Sequence, residues 1–270
     1  MISKLFQKLF RAFNCRLVRK ATLDKLVKNI DFDKLNNQLT ERCRDIDLLK
    51  AVDQSAVSEC LTYLDASRSQ LRQDLFVLSE LNFKKNGFFV EFGATNGGTF
   101  SNSWLLENQF AWKGILAEPA KKWHAELKKN RNCHISTDCV WRSTGDKLTF
   151  NETEIGEIST IDSFSDCDAH KDARHSGKRY LVETISLQDL LDHFKVPHVI
   201  DYLSIDTEGS EFAILNSVDF QKYKFRIITC EHNNETETRA QIYDLLTEHG
   251  YERKFIELSE FDDWYILADD

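Results

Sequence analysis

Residues 87–270 predict a Rossmann-like α/β domain: a mostly parallel seven-stranded sheet with helices on both faces, preceded by a helical N-terminal region. Three observations predict it. From Phe88 onward, short apolar runs alternate with polar segments of helical length. A glycine-rich turn follows the first of these runs directly, and no convincing strand pattern occurs before it.

The first twenty residues carry Lys4, Lys8, Arg11, Arg16, Arg19 and Lys20 and no acid, in a chain of 270 residues whose net charge is −9. Ile2, Leu5, Phe6, Leu9, Phe10, Phe13 and Leu17 recur at three- and four-residue steps, the spacing of one helical stripe, with the basic residues largely between them. Residues 1–20 are therefore expected to form a basic amphipathic helix. It fits either an anionic membrane interface or the acidic remainder of the protein. Residues 21–86 place Leu23, Leu26, Val27 and Ile30, then Ile46, Leu48, Leu49 and Val52, then Leu61, Leu64, Leu71, Leu75 and Leu78 at helical spacing. This region is expected to be a helical cap or a dimerisation element.

In the following domain the strands fall at Phe88–Phe92, Gly114–Ala117, Cys133–Thr137, Tyr202–Ile205, Phe225–Cys230, Tyr251–Glu257 and Trp264–Leu267. Helices fit between them at Ser101–Asn108, Lys121–Asn130, Glu211–Ser217 and Glu237–His249. The last two strands are consecutive, so the sheet should close with an antiparallel hairpin.

Composition excludes several classes. The acidic balance makes nucleic acid a poor default partner. Seven cysteines without CxxC spacing fit free thiols in a reducing compartment. No apolar run approaches the roughly eighteen residues that cross a bilayer. The expected location is cytoplasmic, with peripheral contact to the inner face of a membrane through residues 1–20 left open.

The run Glu91-Phe92-Gly93-Ala94-Thr95-Asn96-Gly97-Gly98 delivers a tight turn at the carboxyl edge of the sheet, where ligands of open α/β sheets bind. Thr95 stands where a dinucleotide fingerprint needs glycine, and an acid lies two residues before Gly93. A pyrophosphate would be repelled there, whereas the ammonium and sulfonium of S-adenosylmethionine would be complemented. One β-α unit later, Gly114–Ala117 ends in Glu118-Pro119, and the Glu118 carboxylate can accept both hydrogen bonds of a ribose diol. After the next strand, Asp138 could accept from an adenine amino group and the Cys139 amide could reach a ring nitrogen, with Val140 and Trp141 as an apolar wall. Each of these segments also has a plain reading, as a turn or a helix N-terminus.

Taken together, FFVEFGATNGGTFSNSWLLE, GILAEP, STDCVW, VETISLQDLL, IDYLSIDTEGSEFAIL and ITCEHN resemble the FkbM family of methyltransferases, from about Phe88 to Leu267. The resemblance implies a class I methyltransferase fold, S-adenosylmethionine as donor and an oxygen acceptor. It puts the cofactor motif at Glu91 to Gly98, with Gly93, Ala94, Thr95, Asn96 and Gly98 in it, the ribose acid at Glu118, the adenine segment at Asp138 and Cys139, and the later active-site motif at Asp206 to Glu211. Glu91 stands where the family often has Asp. The first 87 residues lie outside the resemblance.

Asp206 and Glu208 follow one strand, and Glu231, His232 and Asn233 end the next, so four titratable groups could converge at the sheet's active edge. His232 is the leading candidate for the base that removes the hydroxyl proton, with Glu208 next. Asp206, Glu208, Glu231 and His232 could instead hold Mg²⁺ or Mn²⁺; a hydrogen-bonded acidic turn without metal is the alternative. The polar stretch from Asp162 to Tyr180 suits a lid or an acceptor-binding insertion, with Arg174 or Arg179 contacting an anionic acceptor. The expected function is O-methylation of a small molecule or glycan, foremost a sugar of a surface glycan, glycolipid or nucleotide-sugar precursor. Natural-product O-methylation and a non-catalytic cofactor-binding regulator are the alternatives, and a homo-oligomer is left open.

Overall fold

The computed structural model describes residues 32–268. The basic helix expected at residues 1–20 lies outside them. The chain divides into two units, Met1–Arg44 and Asp45–Asp270. Helix α1 (Phe32–Ala51) runs across that division, and α2 (Val57–Tyr63) and α3 (Gln73–Glu80) complete the N-terminal helices.

The strands are β1 (Phe88–Phe92), β2 (Lys113–Ala117), β3 (His134–Ser136), β4 (Cys139–Trp141), β5 (Lys147–Glu152), β6 (Thr160–Ile161), β7 (Lys178–Ser186), β8 (Val199–Ile205), β9 (Lys224–Glu231), β10 (Tyr251–Lys254) and β11 (Asp262–Leu267). The remaining helices are α4 (Trp104–Phe110), α5 (His124–Asn130), α6 (Lys171–Arg174), α7 (Leu187–Phe194), α8 (Glu211–Leu215) and α9 (Thr236–Glu248).

Seven strands form one sheet in the order β10-β11-β9-β8-β1-β2-β3. The sheet is mixed: β11 runs antiparallel to both β9 and β10, while the other pairs are parallel. Successive side chains of a strand point to opposite faces, and the core follows that period. Val90, Ile115, Leu203, Ile228 and Tyr265 pack on one face with Leu190 and Leu191 of α7, Ile214 of α8 and Leu246 of α9. Phe89, Leu116, Tyr202, Ile227 and Trp264 pack on the other with Cys60 of α2, Leu75 to Leu78 of α3, Leu105 and Leu106 of α4 and Leu127 of α5. Trp264 stacks on Phe76 with ring centroids 4.8 Å apart. Residues 45–86 thus share a core with the sheet, spending Leu71, Leu75 and Leu78 on it, while Ile46 and Leu61 stay exposed.

A second sheet, β4-β7-β5-β6, is inserted between β3 and β8. The sequence analysis did not foresee it. Its strands are short or half-exposed, and Lys178 to Ser186 shows polar alternation with no continuous apolar run. A small core of Ala120, Cys139, Trp141, Phe150, Ile161 and Val182 holds it in place.

Candidate active site

The carboxyl ends of β1, β2, β8 and β9 open into a two-part cleft. The smaller part is a slot lined by Ala117, Glu118, Pro119, Cys139, Val140, Phe150 and Ile161, among others. The larger is a cavity of about 430 Å³. Phe92, Gly93, Thr95, Glu157, Asp206 and Glu208 border both parts.

The glycine-rich turn is shaped by close approach. Gly93 has φ +70°, and a Cβ there would collide with the carbonyl of Asp206, so β1 and β8 can meet this tightly only with glycine. Ala94 and Thr95 continue into the cavity wall. Asn96 and Gly98 do not line the cleft: Asn96 Oδ1 accepts from the amides of Gly98 and Thr99, each at 2.9 Å, and so closes the turn from behind.

Glu91 is buried and committed. Its carboxylate accepts from the Asn102 amide at 2.8 Å and from the hydroxyls of Ser101 and Ser103, with the Arg131 guanidinium 3.9 Å away. Its main work is to tie the segment after the turn to β1. This is also why α4 begins at Trp104 rather than Ser101: the two serines and the amide between them serve the carboxylate first.

Glu118 sits 4% exposed at the end of β2. One oxygen accepts from the Thr95 amide at 2.8 Å and the other from the Ala120 amide at 2.7 Å. Burial pushes its pKa up to about 7 against those two hydrogen bonds. Each oxygen retains a lone pair, and the apolar slot of Val140, Phe150 and Ile161 lies beside it. Asp138, by contrast, is exposed in the β3–β4 turn, bonded to Ser136, and lines neither part. Trp141 packs edge-on against Phe164 rather than on the slot. Phe150 and Ile161 come from the inserted sheet and were invisible to a reading that lacked it.

Asp206, Glu208 and Glu231 do converge, with one carboxylate oxygen from each within 4.8 Å of the others. Burial pushes Asp206 up to about 6. Burial and the Asp206 carboxylate push Glu208 up to about 9 against the pull of Arg174, and Glu231 rises well above the usual carboxylate range for the same reasons. Glu208 has φ +60°, strained for a residue with a Cβ. Its turn is held by Glu211, which accepts from the amides of Thr207 and Gly209.

His232 is not part of this group. It is buried, but its Nδ1 accepts from the Asn234 amide at 3.0 Å and its Nε2 lies 3.8 Å from Asp263, away from the cleft. Burial would raise Asp263, yet the nearby His232 ring and the hydrogen bonds from Arg239 hold it well below the usual carboxylate range. The described geometry thus keeps the His232 ring apart from the Asp206, Glu208 and Glu231 cluster. The space among the acids also carries other partners: Asn233 Nδ2 donates to Glu208 at 3.0 Å and to Glu231 at 3.1 Å, and Arg174 Nη2 donates to Glu208 at 2.7 Å. These bonds fit a hydrogen-bonded acidic cluster better than a Mg²⁺ or Mn²⁺ site, whose ligand oxygens need free lone pairs.

Arg174 and Arg179 do not await an acceptor. Arg174 is fully buried and bonds the Ile158 carbonyl, Asp168 and Glu208 at 2.7–2.8 Å. It pins the segment between β6 and β7 to the Glu208 turn. Arg179 is exposed on β7 and pairs with Asp162 at 2.8 Å. The inserted segments do reach the cavity, through Glu157, Ile158, Asp168, Ala169 and His170, as does Gln70 from the N-terminal helical region. Gln70 lay beyond the resemblance, so no motif pointed to it.

The sequence profile of the methyltransferase FkbM domain matches residues 91–253. The chain belongs to the FkbM methyltransferase family. With it comes S-adenosylmethionine-dependent methyl transfer on an α/β fold, in agreement with the cleft at the carboxyl edge of the sheet. Among solved structures, the chain is similar to precorrin-6y C5,15-methyltransferase from Geobacter metallireducens GS-15, at 14% identity and TM-score 0.37, over 72% of this chain and 85% of that one. It is also similar to the N-terminal domain of human METTL16 in complex with SAH, at 12% identity and TM-score 0.36, over 72% and 68%. No curated protein sequence matches the chain.

Proposed function

We propose that this FkbM-family chain methylates a hydroxyl oxygen on a sugar ring, in a surface glycan, a glycolipid or a related glycosyl precursor. The observation that carries this reading is the cleft itself: an apolar slot with the Glu118 carboxylate at its wall opens, across Gly93, Thr95 and Asp206, into a polar cavity large enough for a second reactant.

The residues of the slot fit the methyl donor. Glu118 has two oxygens able to accept from a ribose diol, and Pro119, Val140, Phe150 and Ile161 give an adenine ring apolar surface. When bound, S-adenosylmethionine supplies a methyl group on a sulfonium, open to in-line attack by an oxygen. Asp206 borders both parts of the cleft and is the candidate base. With its pKa near 6 it is mostly ionised at neutral pH and still basic enough to take a hydroxyl proton on a carboxylate oxygen. Asn233 fixes Glu208 and Glu231 beside it, and Glu157, Ile158 and His170 of the inserted segments line the cavity, where they can help to hold reactants in line.

Incubation of the full chain with methyl-labelled S-adenosylmethionine and a panel of glycosides, with products read by mass spectrometry, tests the reading. A methyl ether on a sugar oxygen is the expected product. Methylation confined to nitrogen or carbon acceptors would overturn it.

A further inference from the structure

The larger cavity has a distinctive wall. Six carboxylates line it: Glu91, Glu157, Asp168, Asp206, Glu208 and Glu231. Among the described residues no lysine or arginine does. Two guanidinium groups behind the wall have their bonds spent, Arg131 on Glu107, Ser101 and Ser103, and Arg174 on Asp168 and Glu208. An entering phosphate would meet these acids with no lysine or arginine to receive it and His170 as the one basic side chain on the described wall.

Phe92, Phe100, Ile158 and Phe261 give the same wall apolar surface, and Phe100 stands out among them. It is 48% exposed, and its φ of +58° puts a bulky aromatic residue in the left-handed region. A parallel bridge to Ser69 holds its backbone there. Strain and an exposed ring are two costs that packing does not return, and both sit on the cavity wall. Phe100 borders the cavity and not the slot, so it belongs to the acceptor's side of the cleft. On the same wall Asn102 is 9% exposed: Nδ2 donates to Ser204 at 3.0 Å, while the buried Oδ1 has no hydrogen-bond partner.

We infer that the acceptor is an uncharged glycosyl group whose apolar C–H face lies on the Phe100 ring while its hydroxyls donate to the carboxylate oxygens of the cavity, and that sugar phosphates and nucleotide sugars are excluded. An aromatic ring covers the C–H face of a pyranose, and the ionised carboxylates of the wall, Asp206 among them, receive hydrogen bonds that neutral hydroxyls give and phosphates do not. The inference rests on the proposed sugar O-methylation and narrows its substrate class.

The test uses the full chain loaded with S-adenosylhomocysteine. Binding of neutral methyl glycosides, the matching sugar 1-phosphates and uridine-diphosphate sugars is followed by saturation-transfer NMR, and turnover with S-adenosylmethionine is measured in parallel. Neutral glycosides should bind with saturation passing to their ring C–H protons. Phe100→Ala should raise their KM about tenfold or more, Phe100→Trp should restore it, and S-adenosylhomocysteine affinity should stay unchanged in both. Tighter binding of the phosphorylated sugars, or neutral binding indifferent to Phe100→Ala, would overturn the inference. If a non-sugar hydroxyl is methylated while no glycoside binds, the inference falls and O-methylation stands. If glycosides bind through Phe100 but no oxygen is methylated, O-methylation falls and the sugar site stands.

Discussion

Cofactor affinity should titrate with Glu118. Burial holds this carboxyl near pKa 7 in the free protein, so about half of it is protonated at neutral pH. Only the carboxylate can accept from both ribose hydroxyls while keeping its bonds to the Thr95 and Ala120 amides. With a pKa of about 7 the ionised fraction is roughly nine-tenths at pH 8 and roughly one-tenth at pH 6. The Kd for S-adenosylhomocysteine should therefore rise about tenfold between pH 8 and pH 6, or about 1.4 kcal/mol. The stability contribution has the opposite slope. A folded-state pKa raised above the ordinary 4.5 makes the folded chain bind the extra proton, so this contribution is present below 4.5 and lost as pH rises through about 7. Glu118→Gln turns an NH₂ toward one of the two amide donors, and should weaken binding at pH 8 by roughly 1–3 kcal/mol while flattening the pH dependence. Calorimetric titration of wild type and variant at pH 6, 7 and 8 decides. A flat wild-type profile, or the same slope in a folded Glu118→Gln protein, would refute the argument.

Three other outcomes follow from the same geometry. Asp206→Asn should slow methyl transfer by about 10²- to 10⁴-fold with cofactor affinity largely kept, whereas His232→Ala should keep turnover within a few-fold and lower the unfolding midpoint; the reverse pattern would return the base to His232. Arg174→Met leaves Asp168 and Glu208 as buried, uncompensated acids and should cost about 3–5 kcal/mol in denaturant unfolding, with Arg174→Lys restoring little because one ammonium cannot span both carboxylates and the Ile158 carbonyl. A stable Arg174→Met protein with a raised acceptor KM would make Arg174 a substrate contact after all. EDTA should leave turnover unchanged; loss on chelation with recovery in Mg²⁺ or Mn²⁺ would show that Asn233 and Arg174 yield their places to a cation.

The central strands of the main sheet, β1, β2, β8 and β9, were legible because they are runs of largely apolar, buried residues, such as Ile200, Tyr202, Leu203 and Ile205 of β8. The inserted sheet lacks that signal. β7 buries Val182 and Thr184 and leaves Lys178, Arg179, Leu181 and Glu183 exposed, so its pattern reads as a polar stretch. The slot lost two walls by that omission, Phe150 and Ile161. Gln70 was hidden for another reason: it lies between helices of a region without a motif, and the Ser69–Phe100 bridge brings that segment to the cleft.

His232 shows a distinction that the sequence did carry. Along β9, Ile227 and Thr229 share a face with Glu231, while Ile228 and Cys230 share the opposite face. The same parity runs through the rest of the edge, where Glu91 pairs in register with Ser204, and Ser204 with Thr229. Glu91, Ser204, Asp206, Glu208, Glu231 and Asn233 line the cavity, each group stepping by two along its own segment. His232 is one residue out of step, so its ring falls on Asp263 instead of the acids. Adjacent titratable residues at a strand end compete for one face, and parity would have chosen Glu231. What parity could not supply is the partner behind the wall: that Arg174, more than thirty residues from Glu208 in sequence, is already spent on it depends on the fold of the inserted segment. The cavity wall therefore carries six carboxyl groups and, among the described residues, no lysine or arginine, despite the basic residues nearby in sequence.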